Sequence, residues 1–497
     1  MAIDKEYYQQ HLEWESIEFP LVFSRITSKL GLYNLPNDSI IEVWRGVDFK
    51  LKATIEGTTF NKNDIEIDES KLEGKFIPDE TITGFSLDGL YVIKLTGCYI
   101  KDTTVTAISI EPIEMRFKGQ LSIQTITRSF NQEQTPGILF EWFLSGRLSA
   151  WFPRSTKREF NKSVQKIREG FDSKNEDTSI SGSSNSRDFA FVSANGIQLI
   201  IAVVPSHFSP VWATKVCIEY RSEFGNIPPD NVRKAISELV SFILGCQLLK
   251  VGYTNMTDKR EVVDQYAMNY WGDNVIGKCS RSASPPVNIN RASSDWDRLE
   301  TLLNMLLPTY LKLNDELNLS GGLWKYWVAK DLAVGTNLPI FSSAIESLAG
   351  NYLKSKREIS ESYMDQMEYQ NLIQKEINEI AAKLHDRKFR DTIINKIKDA
   401  AYRGGNEKIS LFFDLINLPV GKVEREAMKA RNKMAHSSIE TSNDEKLKQY
   451  AKLTQAYQTL FHRVFLRLLG YEQDYIDYYF QEVNRPISDV VGANDND

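Results

Sequence analysis

Through the first half of the chain apolar positions alternate with polar ones, and further on the period lengthens. Phe49, Leu51, Ala53 and Ile55 recur at every second residue, the spacing that puts one side of a strand on a core. Segments 91–100, 104–110 and 115–126 are similar, rich in the Val, Ile, Thr and aromatic residues that suit a pleated surface. Gly57, Gly74, Gly84, Gly89 and Gly97 punctuate them as turn signals. Short strands at this density predict an antiparallel sandwich or barrel. Strand patterning resumes over 189–204 and 212–220, and Pro228-Pro229-Asp230 then opens a helix running to about Leu249.

Between these β-rich stretches lies a polar segment, 154–188. It begins basic, with Arg154, Lys157, Arg158, Lys162 and Lys166, a run that suits a short helix or a basic arm. It ends in the Ser/Gly-rich run 179–186, which has the chemistry of a flexible insertion. Pro285-Pro286 marks the interdomain boundary.

From Ser294 onward the apolar period is that of a helix. Leu299, Leu302, Leu303, Leu306 and Leu307 form a wide stripe, and Ile340, Phe341, Ala344, Ile345 and Leu348 another. Residues 357–400 read as one long helical segment, with Tyr363, Met367, Ile373, Ile377, Ile380 and Leu384 at three-four spacing. Shorter helices are expected over 410–416 and 424–435. A last helix, opened by a capping box of Ser442 and Glu445, buries Leu453, Tyr457, Leu460, Val464 and Leu468. The expected fold is therefore multidomain: a β-rich N-terminal region (antiparallel sandwich or barrel-like), then an all-α bundle. The expected divisions are 1–153 and 189–290 for the β-rich parts, 154–188 for the insertion and 291–497 for the bundle.

Composition narrows this picture. A chain of 497 residues is too long for one hydrophobic core, and 42% hydrophobic with 25% charged residues is ordinary for globular domains. No apolar run is long enough to span a bilayer, and Met1–Glu6 lacks the apolar core of a signal peptide, so a cytoplasmic, non-membrane protein is expected. Cys98, Cys217, Cys246 and Cys279 are widely spaced and read as reduced, buried thiols. A net charge of −6 means that any nucleic acid must be held by a local patch.

Candidate chemistry is sparse. The five histidines, His11, His207, His385, His436 and His462, form no metal-ligand spacing, and Gly404-Gly405 lacks the Lys-Ser/Thr of a phosphate loop. No cofactor or metal is expected. Along the last helix His462 projects off the apolar stripe and reads as solvated, as does His385. Trp324, Tyr326 and Trp327 read as packing between helices, with base stacking as the alternative.

One segment carries more. Arg431 and His436 enclose four residues in Ala430-Arg431-Asn432-Lys433-Met434-Ala435-His436, on a helix whose apolar stripe is Val423, Ala427, Ala430 and Met434. Lys422, Arg425, Lys429, Arg431 and Lys433 make this helix locally basic, and Lys429 and Lys433 are candidates for holding RNA. Histidine can move the proton of a ribose 2′-hydroxyl or of a leaving 5′-oxygen, and arginine's planar fork can stabilise charge on a phosphate. Asn432 can orient either group. Residues five apart stand about 140° apart on an ideal helix, so the helix must distort near His436 or a second chain must complete the site. The plainer alternative is a surface ion pair for Arg431 and a helix cap for His436.

The helical part, roughly 320–475, resembles the Apea-like HEPN family of prokaryotic defence proteins. The resemblance rests on the helix with Ala344-Ile345-Glu346-Ser347-Leu348, the central helices, Arg431-Asn432-x-x-x-His436 and the closing Leu466-Arg467-Leu468-Leu469-Gly470-Tyr471. It implies a ribonuclease signature at Arg431, Asn432 and His436, a supporting acid at Glu346, and a site shared between two protomers. The expected function is an anti-phage or toxin-type endoribonuclease, metal-independent and acting on RNA, with tRNA among the candidates. It would work as a homodimer or higher oligomer, controlled by an unidentified ligand of the N-terminal region. The alternatives are a non-catalytic HEPN protein that dimerises or binds RNA or nucleotide, and a carbohydrate- or peptide-binding β module.

Overall fold

The structure is a computed structural model that describes residues 21–27, 36, 38–46, 48–59, 80–110, 113–146, 156–158, 165–167, 189–203, 213–259, 261–270, 275–289, 298–356, 362–436 and 444–493. The chain separates into two compact units. One comprises Met1–Arg233, Cys246–Ser284 and Asn290–Asn304, the other Lys234–Gly245, Pro285–Ile289 and Met305–Asp497.

The first unit is built on one antiparallel sheet of 13 strands. Six of them close a barrel: β1 (Leu21–Ser24), β2 (Ile40–Arg45), β3 (Leu51–Thr59), β4 (Glu80–Ser86), β5 (Tyr91–Ile110) and β6 (Ile113–Ser122). Closure depends on the length of β5, which pairs with β4 through Val92–Cys98 and with β6 through Tyr99–Ile110. Register shifts at Ile100/Asp102 and Ala107/Ser109 add bend to the long strand. Phe23, Ile41, Ile55, Ile82, Ile93, Leu95 and Phe117 fill the interior, which removes apolar surface from water while leaving this part of the sheet no free edge.

The same sheet continues from β5 as an open arm. Its strands are β7 (Thr125–Phe130), β8 (Ile138–Ser145), β11 (Phe189–Ala194), β12 (Ile197–Val203), β13 (Thr214–Arg221), β14 (Leu249–Met256) and β15 (Val262–Met268). Their order outward is β7-β15-β14-β8-β13-β12-β11. A separate hairpin pairs β9 (Thr156–Arg158) with β10 (Gln165–Ile167), so Lys157, Arg158 and Lys166 lie on strands and not on the helix expected for this basic run.

The second unit holds most of the helices. Within α1 (Asp230–Leu244) the part from Lys234 belongs here, whereas the short α2 (Val275–Cys279) lies in the first unit. The helices that follow are α3 (Arg298–Leu317, in this unit from Met305), α4 (Leu319–Asp331), α5 (Leu338–Ser355), α6 (Gln366–Lys383), α7 (Arg390–Lys398), α8 (Gly405–Leu415), α9 (Lys422–His436) and α10 (Asp444–Leu468). The chain then forms a hairpin of β16 (Asp474–Asp477) and β17 (Val483–Pro486).

These observations correct the expected fold class. The β-rich region is not a sandwich but a closed barrel drawn out into an open arm of the same sheet. The C-terminal region is not all-α: the β16–β17 hairpin is part of its packing, and Ile476 N–H donates to Pro286 O at 2.9 Å. The single long helix expected over 357–400 is likewise two, α6 and α7, folded back on each other. The Tyr369 hydroxyl reaches Ile397 O at 2.9 Å and Arg390 Nε reaches Ala381 O at 3.1 Å, which fixes them as an antiparallel pair.

Two features position the centre of this unit. Helix α4 closes on α5 at Gly322, where a Cβ would meet the Leu348 side chain at 2.9 Å and force it to shift. Helix α10 is buried on every side in its C-terminal half, with Phe461, His462, Arg463, Val464, Phe465 and Leu466 all enclosed. It ends at Gly470, whose φ of 78° suits the residue beyond a helix C-terminus.

Candidate functional site

Helix α9 packs on α5 and α10, and its inward face is set by polar residues as much as by apolar ones. Glu424, Ala427 and Arg431 follow at three-four spacing; the first two are fully buried and Arg431 is half-buried. The start of the helix is held by Glu424, which accepts from Gly421 N–H at 2.6 Å and pairs with Arg463 of α10. Arg463 also donates to Pro419 O at 3.1 Å and Ile487 O at 3.0 Å. Desolvation holds the Glu424 carboxyl above its ordinary range, against the pull of Arg463.

Two turns further along α9, Arg431 meets α5. Its Nε donates to Ser342 Oγ at 2.8 Å, and its Nη2 forms an ion pair with Glu346 Oε1. Ser342 in turn donates to the same Glu346 oxygen at 2.7 Å. Ser342 and Glu346 are one turn apart, so a single face of α5 presents both. Tyr457 of α10 closes the group from a third side: burial pushes its hydroxyl up, while the hydrogen bond to Ser342 and the Arg431 cation pull it down. Unlike Glu424–Arg463, whose side chains have no exposure, Arg431 and Glu346 keep 26% and 38% of theirs. The arrangement is an oriented guanidinium at the rim of a helical core.

Of the residues singled out in the sequence, Arg431 and Glu346 are thus brought together from separate helices. Lys429 is exposed on α9. Asn432, Lys433 and His436 lie on the backbone of α9, and their side chains fall outside the described residues. The helix runs unbroken through His436, so the Arg431 and His436 positions keep their offset of about 140° around its axis. Ser442 of the expected capping box, His11 and His207 are also outside the described residues.

Sequence reasoning missed Ser342 and Tyr457, the first as one polar residue among apolar ones and the second as part of a buried stripe. Ser342 was detectable as the residue four before Glu346; Tyr457 gave no signal. His462 departs from expectation outright. It is fully buried, with Nε2 2.8 Å from the Tyr326 hydroxyl and Nδ1 without a partner. The rings of Phe242, Tyr326 and Tyr478 surround it, because α10 is central to the unit and has no solvated face at that level. Burial drives its imidazole well below the usual range, so it stays neutral. Trp327 and Tyr326 are core, as expected, but Trp324 is exposed.

A second polar group lies in the sheet unit, where one oxygen of buried Glu141 takes Lys250 at 2.6 Å and Arg233 at 3.1 Å. Asp230 pairs with the same two cations, at 3.0 Å from Arg233 and 3.5 Å from Lys250, so two carboxylates balance two cations. The four cysteines are buried, and none forms a disulfide among the described residues. Among the described residues, no three His, Cys, Asp or Glu side chains gather as a metal site requires, and no helix is long and apolar enough to cross a membrane. No family model matches this chain, and neither a curated protein nor a solved structure is found to be similar to it.

Proposed function

We propose that the helical unit is a metal-independent endoribonuclease of defence or toxin type, acting in the cytoplasm, with Arg431 and His436 as its working pair. The observation that supports this reading is the seating of Arg431. A guanidinium held at a partly open rim by a carboxylate from another helix is suited to meeting a phosphate, and Glu346 is the acid that the HEPN resemblance singles out. In this reading His436 removes the 2′-hydroxyl proton, the 2′-oxygen attacks the adjacent phosphorus, the bond to the 5′-oxygen breaks, and that oxygen takes up a proton from water. The products are a 2′,3′-cyclic phosphate and a 5′-hydroxyl, and Arg431 stabilises charge that builds on the phosphate. Asn432 orients the scissile group, and Lys429 and Lys433 hold the flanking backbone.

The unbroken helix from Arg431 through His436 favours a shared site, in which a second copy supplies the missing half. The sheet unit then serves as the regulator, responding to a ligand by favouring one arrangement of the helical unit over another. Purified protein incubated with total RNA in EDTA should cleave it and leave cyclic-phosphate ends. His436→Ala and Arg431→Ala should each slow cleavage by about 10²–10⁴. Strict magnesium dependence, or 5′-phosphate ends, would rule the mechanism out. A strictly monomeric protein with full activity in light scattering would refute the shared site.

The ion pair itself favours a second reading, in which Arg431 ties α9 to α5 in a non-catalytic protein that dimerises or binds RNA or nucleotide. An Arg431→Ala variant that melts far below wild type and cleaves no worse would decide for it.

A further inference from the structure

We propose that Ser342 is a positioning residue for Arg431, acting on cleavage only through the direction it imposes on its guanidinium. This rests on the ribonuclease reading above.

The argument starts from what a serine hydroxyl can do. It has one O–H to give and two lone pairs to offer. Ser342 gives its proton to Glu346 Oε1 at 2.7 Å and accepts Nε–H of Arg431 at 2.8 Å. With its one proton given to Glu346 and the Arg431 N–H on a lone pair, the Ser342 hydroxyl is held in one orientation.

The consequence falls on Arg431. An ion pair with Glu346 alone would hold the cation near a point and leave its plane to swivel. A second contact at Nε fixes the plane as well, because guanidinium is rigid and planar. Both anchor points sit one turn apart on α5, whose own face is locked into the core by Phe341, Ile345 and Leu348. The Nε–Nη2 edge is therefore turned to α5. Holding that edge in one direction is a transition-state contribution, which affects kcat more than substrate affinity.

Steady-state cleavage of unfractionated tRNA by the full-length protein tests this. Ser342→Ala should lower kcat about 10- to 100-fold with little change in KM, the cost of one lost hydrogen bond to a charged group. Ser342→Thr keeps the hydroxyl and should recover most of the rate. In an Arg431→Ala background, Ser342→Ala should lower cleavage no further. Wild-type kcat in Ser342→Ala would overturn the proposal. So would an equal loss in the Arg431→Ala background, or a loss that follows a fall in Tm and that threonine does not recover. Should Ser342→Ala fail to fold, Ser342→Cys, which replaces the hydroxyl by a weak hydrogen-bonding thiol, decides alone, an unchanged kcat being fatal. An inactive Arg431→Ala beside a fully active Ser342 variant sinks only the positioning role. If Arg431→Ala cleaves like wild type, the ribonuclease reading fails and this falls with it.

Discussion

Helix α9 carries two Arg–Glu pairs on one face, two turns apart, and they behave as different kinds of object. At its start Glu424 meets Arg463 with both side chains fully enclosed, and the arginine's other hydrogen bonds go to the backbone carbonyls of Pro419 and Ile487. Further along, Arg431 meets Glu346 with part of each side chain in solvent, and the remaining contact at Nε is to a hydroxyl. The chemistry is the same and the dielectric is not. A buried pair is indispensable once present because removing one partner strands a charge, whereas a rim pair is screened and exchangeable. The first pair fixes where α9 begins; the second holds a cation where a ligand can reach it.

The largest effect should come from breaking the enclosed pair. Arg463→Ala leaves the Glu424 carboxylate without its counter-charge and should destabilise the protein by about 3–5 kcal/mol, read as a shift in the denaturant midpoint. A loss under about 1 kcal/mol would show that water reaches this pair and that the contrast is false.

Next in size is an acid effect on the neutral core histidine. The folded His462 is held well below its ordinary 6.5, so it contributes stability that is present above about pH 6.5 and is lost as the pH falls. One such group costs up to about 1.4 kcal/mol per pH unit below that point. Replacing His462 with Phe should flatten this part of the stability–pH curve, and an unchanged slope would remove His462 as its source.

Smaller still is the stability cost of Arg431→Ala, expected below about 1 kcal/mol because its partners can be rehydrated at the rim. Midpoints for this variant and Arg463→Ala, measured side by side, sharpen the contrast most directly. Glu346→Gln should be the mildest, near zero to about 0.5 kcal/mol, and it should lose most of its dependence on ionic strength.

The two-unit organisation constrains how regulation is probed. Lys234–Gly245 belongs to the helical unit, where Phe242 packs against Phe465 with ring centroids 4.5 Å apart and against Tyr326 at 6.5 Å. Deleting residues 1 to 290 would remove that ring along with most of the sheet unit. A barrel-core change such as Phe117→Ala in the full-length chain is the cleaner probe, and it should alter toxicity in cells. Unaltered toxicity and phage response, with the barrel shown to be unfolded, would eliminate the regulatory role.

What the sequence by itself determined is largely local. The period-2 runs marked β3, β5 and β6 of the six barrel strands but not β1, β2 or β4, and the stripes of α3, α5, α9 and α10 were readable because helix periodicity depends only on neighbours a few residues away. The Arg431–His436 spacing and the candidate acid Glu346 were visible as residue types. What only the tertiary structure decided depends on contacts between distant segments. Barrel closure rests on one strand long enough to pair twice. The break between α6 and α7 was hidden by an apolar spacing that continued across it, and the β16–β17 hairpin by its shortness. His462 looked solvated because its helix showed one apolar stripe, yet α10 is surrounded and buries polar positions too. Arg431's partners, Ser342 at 89 positions away and Tyr457 on another helix, could be paired only by packing. A hydrogen bond between helices leaves no periodic trace in either one.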